Sequence, residues 1–436
     1  MVLDDDPTGV QTLAGIRVLL AWDARRIAGA LAGRRSVHVI TNSRALSAEQ
    51  ARAVVGGAAR AAVAGVDGAR LALRGDSTLR GHVWEEYDAV CAATASGRPP
   101  LLLAPALPLA GRVTRGGVHL LERDGAAIPL HETEYARDGA FSYRSARLLE
   151  WAEERSNGAL RADAGRELHL DDLRASGAGA VADALADLAE SGQPCALAVD
   201  AETDDDLAIV AAGYADALVG GVDAFVRCAP TLAGILAGTT ATTLAAPPQG
   251  EGRVLVVCGS YVPISTRQLA ALTARHPGAL VEVDVTALAS ADADGEVARA
   301  AEAASELIRG SGLAILATPR ERPPGTTDVE SGRRIAEGLA RAAGAVRPRP
   351  QVVIAKGGIT SAVTLRTGFG YDDAEVIGPV IPGISHWRAG DDASLLDYLV
   401  VPGNVGADDV LVELVDLVIG AGEGAASAPS PFVGEL

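Results

Sequence analysis

Short apolar runs recur along the whole chain, and each is followed by a polar loop and then by a segment with helical spacing. In the first half the runs lie at 2–3, 16–20, 37–40, 71–73, 101–104 and 195–199, and in the second half at 253–257, 280–283, 313–317 and 351–355. Segments at 25–32, 264–276, 335–344 and 362–367, and others that begin near 48, 82 and 204, are typical of amphipathic helices. Strands that alternate with helices favour a doubly wound, mainly parallel sheet. The pattern therefore predicts an α/β fold, with residues 117–120 and 131–138 irregular.

A proline- and glycine-rich segment at 247–252 interrupts this alternation and is the clearest linker in the chain. A chain of 436 residues is also longer than one hydrophobic core usually supports. The α/β pattern resumes at residue 253. We therefore predict two domains, residues 1–246 and 253–436, each a mostly parallel sheet flanked by helices.

The composition excludes several classes of partner. The formal net charge of −18 argues against a surface that binds nucleic acid or an anionic membrane, and an aromatic content of 3% provides few platforms for stacking bases. No apolar run is long enough to span a bilayer. The four cysteines are far apart and are expected to be free thiols in a reducing compartment. We predict a cytoplasmic protein with no nucleic-acid or membrane partner. An anionic small-molecule substrate is compatible with this composition, because a local cluster of arginines can override the net charge.

The polar loop after the run at 71–73 contains the clearest candidate chemistry. Asp76 can accept a proton or hydrogen bond from a hydroxyl, Ser77 and Thr78 can donate or accept, and Arg74 and Arg80 can hold an anion. Asp76, Ser77 or Thr78 alone could simply cap the next helix. Two arginines around Asp-Ser-Thr, at the carboxyl end of a predicted strand, favour a ligand-binding loop.

The N-terminal run is followed by three adjacent carboxylates, 4–6, and Pro7. Because these charges repel one another, at least one is expected to have a charge partner, a metal ion or a hydrogen-bond donor. A solvated turn built on Asp-Pro is the alternative, and the pattern does not choose between the two.

Lys356 is the only lysine among the 38 lysine and arginine residues. It precedes Gly357 and Gly358 at a predicted junction of strand and helix, where backbone N–H groups can bind an anion. A compact ammonium facing phosphate is one role in which arginine does not replace lysine. The alternative is a lysine retained by chance beside a tight turn. The loop is not a Walker motif, and no G-x-G-x-x-G fingerprint follows any predicted strand.

Taken together, these stretches resemble the four-carbon acid sugar kinases, which include tetronate and 3-oxo-tetronate kinases. The matching motifs are DDDPTG at 4–9, NSR at 42–44, DSTLRG at 76–81, residues 105–112, GVHL at 117–120, ETEYARD at 132–138, GS at 259–260, GGIT at 357–360 and PGNVG at 402–406. The family often has Asp-Asp-Leu-Thr-Gly-Ala at the first motif and lysine in place of Arg74. Both departures lie at the substrate end, so they leave the particular sugar acid open.

The resemblance implies an N-terminal domain that binds the sugar acid, a C-terminal domain that binds ATP, and an active site in the interdomain cleft. The implied substrate site comprises Asp4, Asp5, Ser43, Arg44, Arg74, Asp76, Ser77, Thr78 and Arg80. The implied ATP contacts are Ser260, Lys356, Gly357, Gly358, Ile359, Thr360, Gly403 and Asn404. Mg²⁺ is expected to bridge the phosphates, and a homodimer is one open assembly state.

One half of the chain has loops with arginine and aspartate and the other has glycine-rich loops, which leads to a hypothesis for the roles of four side chains in phosphoryl transfer. Arg44 and Arg80 are expected to hold the substrate carboxylate. Either Asp5 or Asp76 is expected to accept the proton of the terminal hydroxyl, with Arg80 part of the catalytic set. A sugar-acid sensor without catalysis is one alternative. A dehydrogenase that uses NAD(P) is another, although the missing fingerprint weighs against it.

Overall fold

The computed structural model describes residues 1–123, 125–239, 243–248, 252–290, 292–326, 328–391 and 394–420. The chain forms two compact units: Met1–Gly9 with Ile16–Thr240, and Val10–Gly15 with Ala241–Leu436. Residues 249–251 of the predicted linker lie outside the described residues.

The first unit is built on a parallel sheet. Its strands are β1 (Val2–Asp4), β2 (Ile16–Leu19), β3 (Val37–Ile40), β4 (Ala72–Arg74), β5 (Leu101–Ala104), β9 (Arg166–Leu168), β10 (Ala196–Val199) and β11 (Phe225–Cys228), in the order β2-β3-β1-β4-β11-β5-β10-β9. Consecutive residues alternate between two cores: Leu101 and Leu103 lie in one, and Leu102 and Ala104 in the other. The sheet is therefore buried on both faces, which explains why its strands are continuous apolar runs.

Helices cover both faces of this sheet. They are α1 (Ala24–Leu31), α2 (Ala48–Gly65), α3 (Val83–Thr94), α4 (Leu148–Arg155), α5 (Leu170–Ser176), α6 (Ala178–Glu190), α7 (Asp204–Val219) and α8 (Pro230–Ala237). Ser47 and Thr203 begin α2 and α7 with capping boxes, in which their hydroxyls accept from the backbone N–H groups of Gln50 and Asp206 and the side chains of those residues accept from the N–H groups of Ser47 and Thr203.

The prediction that residues 117–120 are irregular was wrong. They lie in a three-stranded antiparallel sheet of β6 (Arg112–Arg115), β7 (Val118–Arg123) and β8 (Ala126–Pro129). Gly116 and Gly117, both with positive φ, form the two-residue turn between β6 and β7. Such turns need φ > 0 at both positions, so Gly-Gly was the missed hairpin signal. Residues 131–138 contain only short 3-10 turns.

The second unit also has a mainly parallel sheet. Its strands are β12 (Val254–Cys258), β13 (Leu280–Glu282), β14 (Leu313–Ala317), β15 (Val352–Lys356), β16 (Asp373–Ile381), β17 (Ile384–Ala389) and β18 (Leu396–Val401). The order β13-β14-β12-β15-β18 is parallel, and β17 and β16 continue it as antiparallel strands. The predicted α/β class with mostly parallel sheets is confirmed, but the antiparallel strands were not foreseen.

The helices of the second unit are α9 (Pro263–Arg275), α10 (Val285–Ala289), α11 (Ala293–Ser311), α12 (Val329–Ala345), α13 (Gly358–Val363) and α14 (Val410–Gly420). The helix predicted at 335–344 begins earlier, because the Asp328 carboxylate accepts from the Ser331 N–H and caps it. The helix predicted at 362–367 already begins at Gly358 and widens into a π-helical turn at Thr364–Gly368.

Candidate active site

Three polar loops of the first unit meet at the carboxyl ends of β1, β3 and β4. In the register of the sheet, Asp4 lies between Ile40 and Arg74, so the three strands end side by side. The Asp5 N–H donates to the Arg74 carbonyl at 3.2 Å, and the Thr41 N–H donates to the Asp4 carbonyl at 2.8 Å. The parallel sheet thus brings residues 4–6, 43–44 and 74–80 together.

The Arg44 guanidinium lies among three carboxylates from two of these loops. Its Nη2 is 2.6 Å from Asp6 Oδ2, its Nη1 is 3.3 Å from Asp76 Oδ2, and its Nε is 4.0 Å from Asp5 Oδ2. Burial opposes ionisation of Asp6, but Arg44 and Arg74 outweigh it and lower the pKa of Asp6 to about 2. Asp6 is a site residue that the sequence reasoning did not single out.

Asp76 is held by Arg80 and Thr78 of its own loop and by Arg44 of the neighbouring loop. Its Oδ2 accepts from Arg80 Nε at 2.6 Å and from the Thr78 hydroxyl. Burial opposes ionisation here too, yet Arg44 and Arg80 hold the pKa of Asp76 well below its usual range. Asp76 is therefore a fixed anion at neutral pH. Arg80 Nη1 also lies 3.6 Å from Asp138 Oδ2.

Arg74 and Asp4 belong to the same cluster but are buried. Arg74 is only 4% exposed, and its Nη1 donates to Asp4 Oδ1 and to Asp5 Oδ1, each at 2.9 Å. The structure therefore gives Arg74 and Asp4 internal partners, where the sequence suggested direct contact with a ligand. Ser77 and Thr78 are buried as well.

A second buried ion pair supports the site from below. Ser43, which is fully buried, donates through its hydroxyl to Glu86 Oε1 at 2.6 Å, and Arg227 Nη1 donates to Glu86 Oε2. Both Glu86 and Arg227 were missed. The available signal was a single charged residue, Arg227, within the apolar strand β11.

Asp5 differs from the other carboxylates in its protonation. Burial raises the pKa of Asp5 to about 7, Arg44 and Arg74 oppose this effect, and Glu86 adds to it. Its Oδ1 accepts from Arg74, but its buried Oδ2 has no hydrogen-bond partner in the described part of the chain. Asp5 is the carboxylate of this cluster that can exchange a proton near neutral pH.

Two arginines lie over one aromatic ring at the edge of the cluster. Arg80 Cζ is 5.7 Å and Arg112 Cζ is 5.8 Å from the centre of the Tyr135 ring. Arg112 Nη2 donates to the Tyr135 hydroxyl at 3.4 Å, and its buried Nε has no acceptor among the described residues. No carboxylate of the described residues lies within ion-pair distance of Arg112, which the sequence reasoning quoted only as part of a motif.

Loops at the carboxyl ends of β12, β15 and β18 meet in the second unit. The Ser265 hydroxyl donates to the Gly403 carbonyl at 2.9 Å and lies 3.0 Å from the Ser260 hydroxyl. A Cβ added at Gly357 would lie 3.2 Å from Ser260 Cβ and 3.2 Å from Thr360 Oγ1. The structure therefore brings Ser260, Gly357, Thr360 and Gly403 together.

The backbone of the Gly357–Thr360 loop is only partly available to a ligand. The Gly357 N–H donates to the Val401 carbonyl at 2.8 Å, so it continues the strand ladder. The first-turn N–H groups of α13 have no acceptor within that helix and are the remaining donors of the loop. Ile359 and Asn404 are exposed at the edge of the same cluster.

The Lys356 ammonium points into the protein. The side chain is fully buried, and Nζ donates to the carbonyls of Pro402 at 2.7 Å and Val405 at 3.3 Å. Burial lowers the pKa of Lys356 to about 8. These contacts make Lys356 a support for the loop that contains Gly403, where the sequence suggested a direct phosphate ligand.

Replacing Lys356 with methionine should lower the free energy of unfolding of the second unit by about 1–3 kcal/mol at pH 7, because buried carbonyls lose a donor. Above the folded pKa of about 8 and below the unfolded value of 10.5, the unfolded chain binds more protons, so wild-type stability should rise with pH. The variant should lack this rise. Urea unfolding at pH 7 and at a series of pH values from 8 to 10.5 measures both effects.

Arg267→Met is the matched control, because Arg267 forms an exposed ion pair with Asp408 that should contribute little. Equal unfolding curves for the two variants would mean that the Lys356 contacts do not stabilise the loop.

Arg320 supports the Ser260 loop from the end of β14. Its Nη1 donates to the Ser260 carbonyl at 2.9 Å and its Nη2 to the Thr318 carbonyl at 2.6 Å. Arg320 and Arg322 lie over the Tyr261 ring, with Cζ at 5.8 and 4.4 Å from its centre. Among the described residues, neither arginine has a carboxylate partner, so cationic charge is concentrated beside this loop.

The described residues contain no group of three or more His, Cys, Asp or Glu side chains arranged to hold a metal ion. They also contain no helix with the length and apolar character needed to cross a membrane.

Comparison with known proteins identifies both halves of the chain. The profile of a sugar-binding N-terminal domain matches residues 1–236, and that of a nucleotide-binding C-terminal domain matches residues 255–411. A D-threonate kinase from Salmonella typhimurium is 30% identical over 290 residues, which is 66% of this chain and 63% of the relative. A D-erythronate kinase from Heliobacterium modesticaldum is 30% identical over 253 residues, which is 58% of this chain and 53% of the relative.

The matched regions thus span less than two thirds of these curated relatives. The crystal structure of a Haemophilus influenzae protein shares the fold, with a TM-score of 0.63 at 17% identity, over 96% of this chain and all of that one. The two domain matches, together with the sequence motifs, show that the chain belongs to the four-carbon acid sugar kinase family.

Proposed function

We propose that this protein transfers the γ-phosphate of ATP to the terminal hydroxyl of a four-carbon sugar acid. The observation that carries the proposal is the cluster of Asp5, Asp6, Arg44, Asp76 and Arg80 at the strand ends of the sugar-binding domain. It combines a carboxylate that titrates near neutral pH with fixed charges that can orient a small polar substrate. The names of the two kinase relatives support the substrate class.

The substrate carboxylate is proposed to bind between Arg80 and Arg112. The sequence suggested Arg44 and Arg80, but the Arg44 charge is already shared by three aspartates. Within the described part of the chain, no carboxylate pairs with Arg112, and its guanidinium lies over the same Tyr135 ring as that of Arg80. A guanidinium that has no internal carboxylate partner can form a charge-assisted pair with a ligand without first breaking an existing ion pair.

Asp5 is proposed as the general base. A base is most effective when its pKa lies near the working pH, and the pKa of Asp5 is about 7, whereas that of Asp76 is far lower. Asp5 Oδ2 is buried and has no internal hydrogen bond in the described structure, so it could accept the hydroxyl proton through one water. Asp76 then orients Arg44 and Arg80.

The nucleotide phosphates are proposed to bind at the loops containing Ser260, Gly358, Thr360 and Gly403, with Arg320 supplying positive charge. Phosphoryl transfer depends mainly on positioning and on neutralising charge, which backbone N–H groups and arginines can provide. Mg²⁺ is proposed to enter with ATP as part of the substrate, bound largely by phosphate and water. Four free, buried cysteines fit a cytoplasmic location.

The test is release of ADP from MgATP in the presence of D-threonate, D-erythronate and their 3-oxo counterparts. We expect release to depend on at least one of these acids and to be absent with neutral four-carbon polyols, which lack the carboxylate. Binding of acid and ATP without ADP release would instead identify a sensor.

A further inference from the structure

Three consecutive carbonyl groups in the Asp76–Arg80 loop accept hydrogen bonds from three different aromatic side chains. The three contacts are His119 Nε2 to the Ser77 carbonyl at 2.8 Å, Tyr143 Oη to the Thr78 carbonyl at 3.0 Å, and Trp151 Nε1 to the Leu79 carbonyl at 3.2 Å. These rings come from β7, from the segment before α4, and from α4. All three are buried.

The tautomer of His119 follows from its two neighbours. A carbonyl can only accept, so Nε2 carries the proton, and Nδ1 then accepts from the Thr114 hydroxyl at 2.9 Å. Burial lowers the pKa of His119 to about 4, which keeps the ring neutral in this arrangement. The imidazole is thus a fixed link between β6 and the loop.

The loop needs such support because its backbone is not locally favoured. Leu79 has a φ of +65°, in the left-handed region that a branched side chain rarely adopts. A conformation of this kind persists when surrounding contacts determine it. The two ends of the supported segment are Asp76 and Arg80, which bond each other at 2.6 Å.

We propose that His119, Tyr143 and Trp151 are positioning residues that hold this loop in the conformation in which Asp76 orients Arg80 toward the substrate. The proposal rests on the function proposed above for the same site. A buried tyrosine hydroxyl commonly finds some partner, as Tyr214 does with the Ala224 carbonyl at 2.9 Å. Here, however, three separate elements converge on successive carbonyls of one short loop.

The test compares Tyr143→Phe with Tyr214→Phe. Each change removes one buried hydroxyl whose shortest bond is to a backbone carbonyl, at 3.0 Å for Tyr143 and 2.9 Å for Tyr214. The Tyr143 hydroxyl also lies 3.5 Å from the Leu130 carbonyl. We expect similar losses of thermal stability, but only Tyr143→Phe should lower kcat/KM, by about tenfold, because small displacements of catalytic groups are costly. Equal kcat/KM values for the two variants would overturn the proposal.

Substitution of His119 supplies a rescue experiment. Glutamine can place an amide N–H where Nε2 stands, whereas asparagine reaches only the Nδ1 position. We therefore expect His119→Gln to retain more kcat/KM than His119→Asn, and the reverse order would contradict the assignment.

Hydrogen exchange of residues 75–82 separates this proposal from the proposed function. Faster exchange in Tyr143→Phe than in Tyr214→Phe supports the positioning role even if the wild-type chain phosphorylates none of the acids offered. Unchanged exchange in an active enzyme would refute the positioning role alone.

Discussion

Replacing Arg44 with methionine is expected to lower the free energy of unfolding of the sugar-binding domain by about 3–5 kcal/mol at pH 7, the usual cost of breaking a buried charge pair. Only 16% of the Arg44 side chain is exposed, and its guanidinium is the shared partner of Asp5, Asp6 and Asp76. Without the Arg44 charge, the repulsion among these three carboxylates is less well balanced. Sugar-acid kinase activity should be lost with the cluster.

The same substitution should also change how the free energy of unfolding depends on pH. In the wild type, the lowered pKa values of Asp6 and Asp76 mean that their stabilisation is present above the unfolded value of 3.8 and is lost as pH falls toward 2. In Arg44→Met these pKa values should rise above 3.8. The folded variant then binds more protons than the unfolded chain, so its stability should increase as pH falls from 7 toward 5, and more steeply than in the wild type, where only Asp5 of this cluster has this sign.

Urea unfolding at a series of pH values measures this change, with Arg166→Met as the control. Arg166 pairs with Asp187 on the surface of the same domain, and both side chains are largely exposed. Such a pair should contribute at most about 1 kcal/mol. If Arg44→Met were no more destabilising than this control, the cluster would not be a network of mutually dependent charges.

Replacing Asp5 with asparagine is expected to reduce kcat by about 10²–10⁴-fold, the usual contribution of a general base. In the wild type, kcat/KM should rise with pH up to about 7, as Asp5 loses its proton. The variant should lack this fall in kcat/KM at acid pH, which is the acid limb of the pH profile, because asparagine does not titrate. Pre-steady-state transfer at saturating MgATP isolates the chemical step.

Asp76→Asn should behave differently. Its carboxylate is already ionised far below neutral pH and holds Arg44 and Arg80, so its loss should raise KM for the acid and lower kcat while the acid limb remains. If Asp76→Asn removed the limb and Asp5→Asn retained it, the two roles would have to be exchanged.

Asp5→Asn also has a stability signature. The folded state holds the Asp5 proton to about pH 7, whereas the unfolded chain releases it near 3.8, so wild-type stability should fall as pH rises between these values. Asparagine stays neutral in both states, and the decline should therefore be shallower in the variant.

The convergence of the loops could be predicted from sequence because it follows from the parallel sheet. Polar residues that directly follow apolar runs must lie at one edge when those runs pair in parallel. The sequence could not show which polar groups already have hydrogen-bond or ion-pair partners inside the protein. Arg74 and Lys356 look like ligands in a linear sequence, but their direction depends on the strands and loops beside them, and both point to internal oxygens.

The residues that the sequence did not reveal have contacts across long separations. Glu86 reads as a favourable acid in the first turn of α3, yet its carboxylate is paired with Arg227, 141 positions away. Arg112 becomes notable only because Tyr135 brings it near Arg80. The hairpin turn at Gly116 and Gly117 was readable in principle from its two glycines.

The most direct measurement of the central claim is the product formed from MgATP and each four-carbon acid, identified by phosphorus NMR. The account predicts a phosphate ester on the terminal hydroxyl of at least one acid, with one ADP released for each ester formed. A wild-type protein that binds the acid and ATP but yields only inorganic phosphate, or no phosphorylated acid, would contradict it.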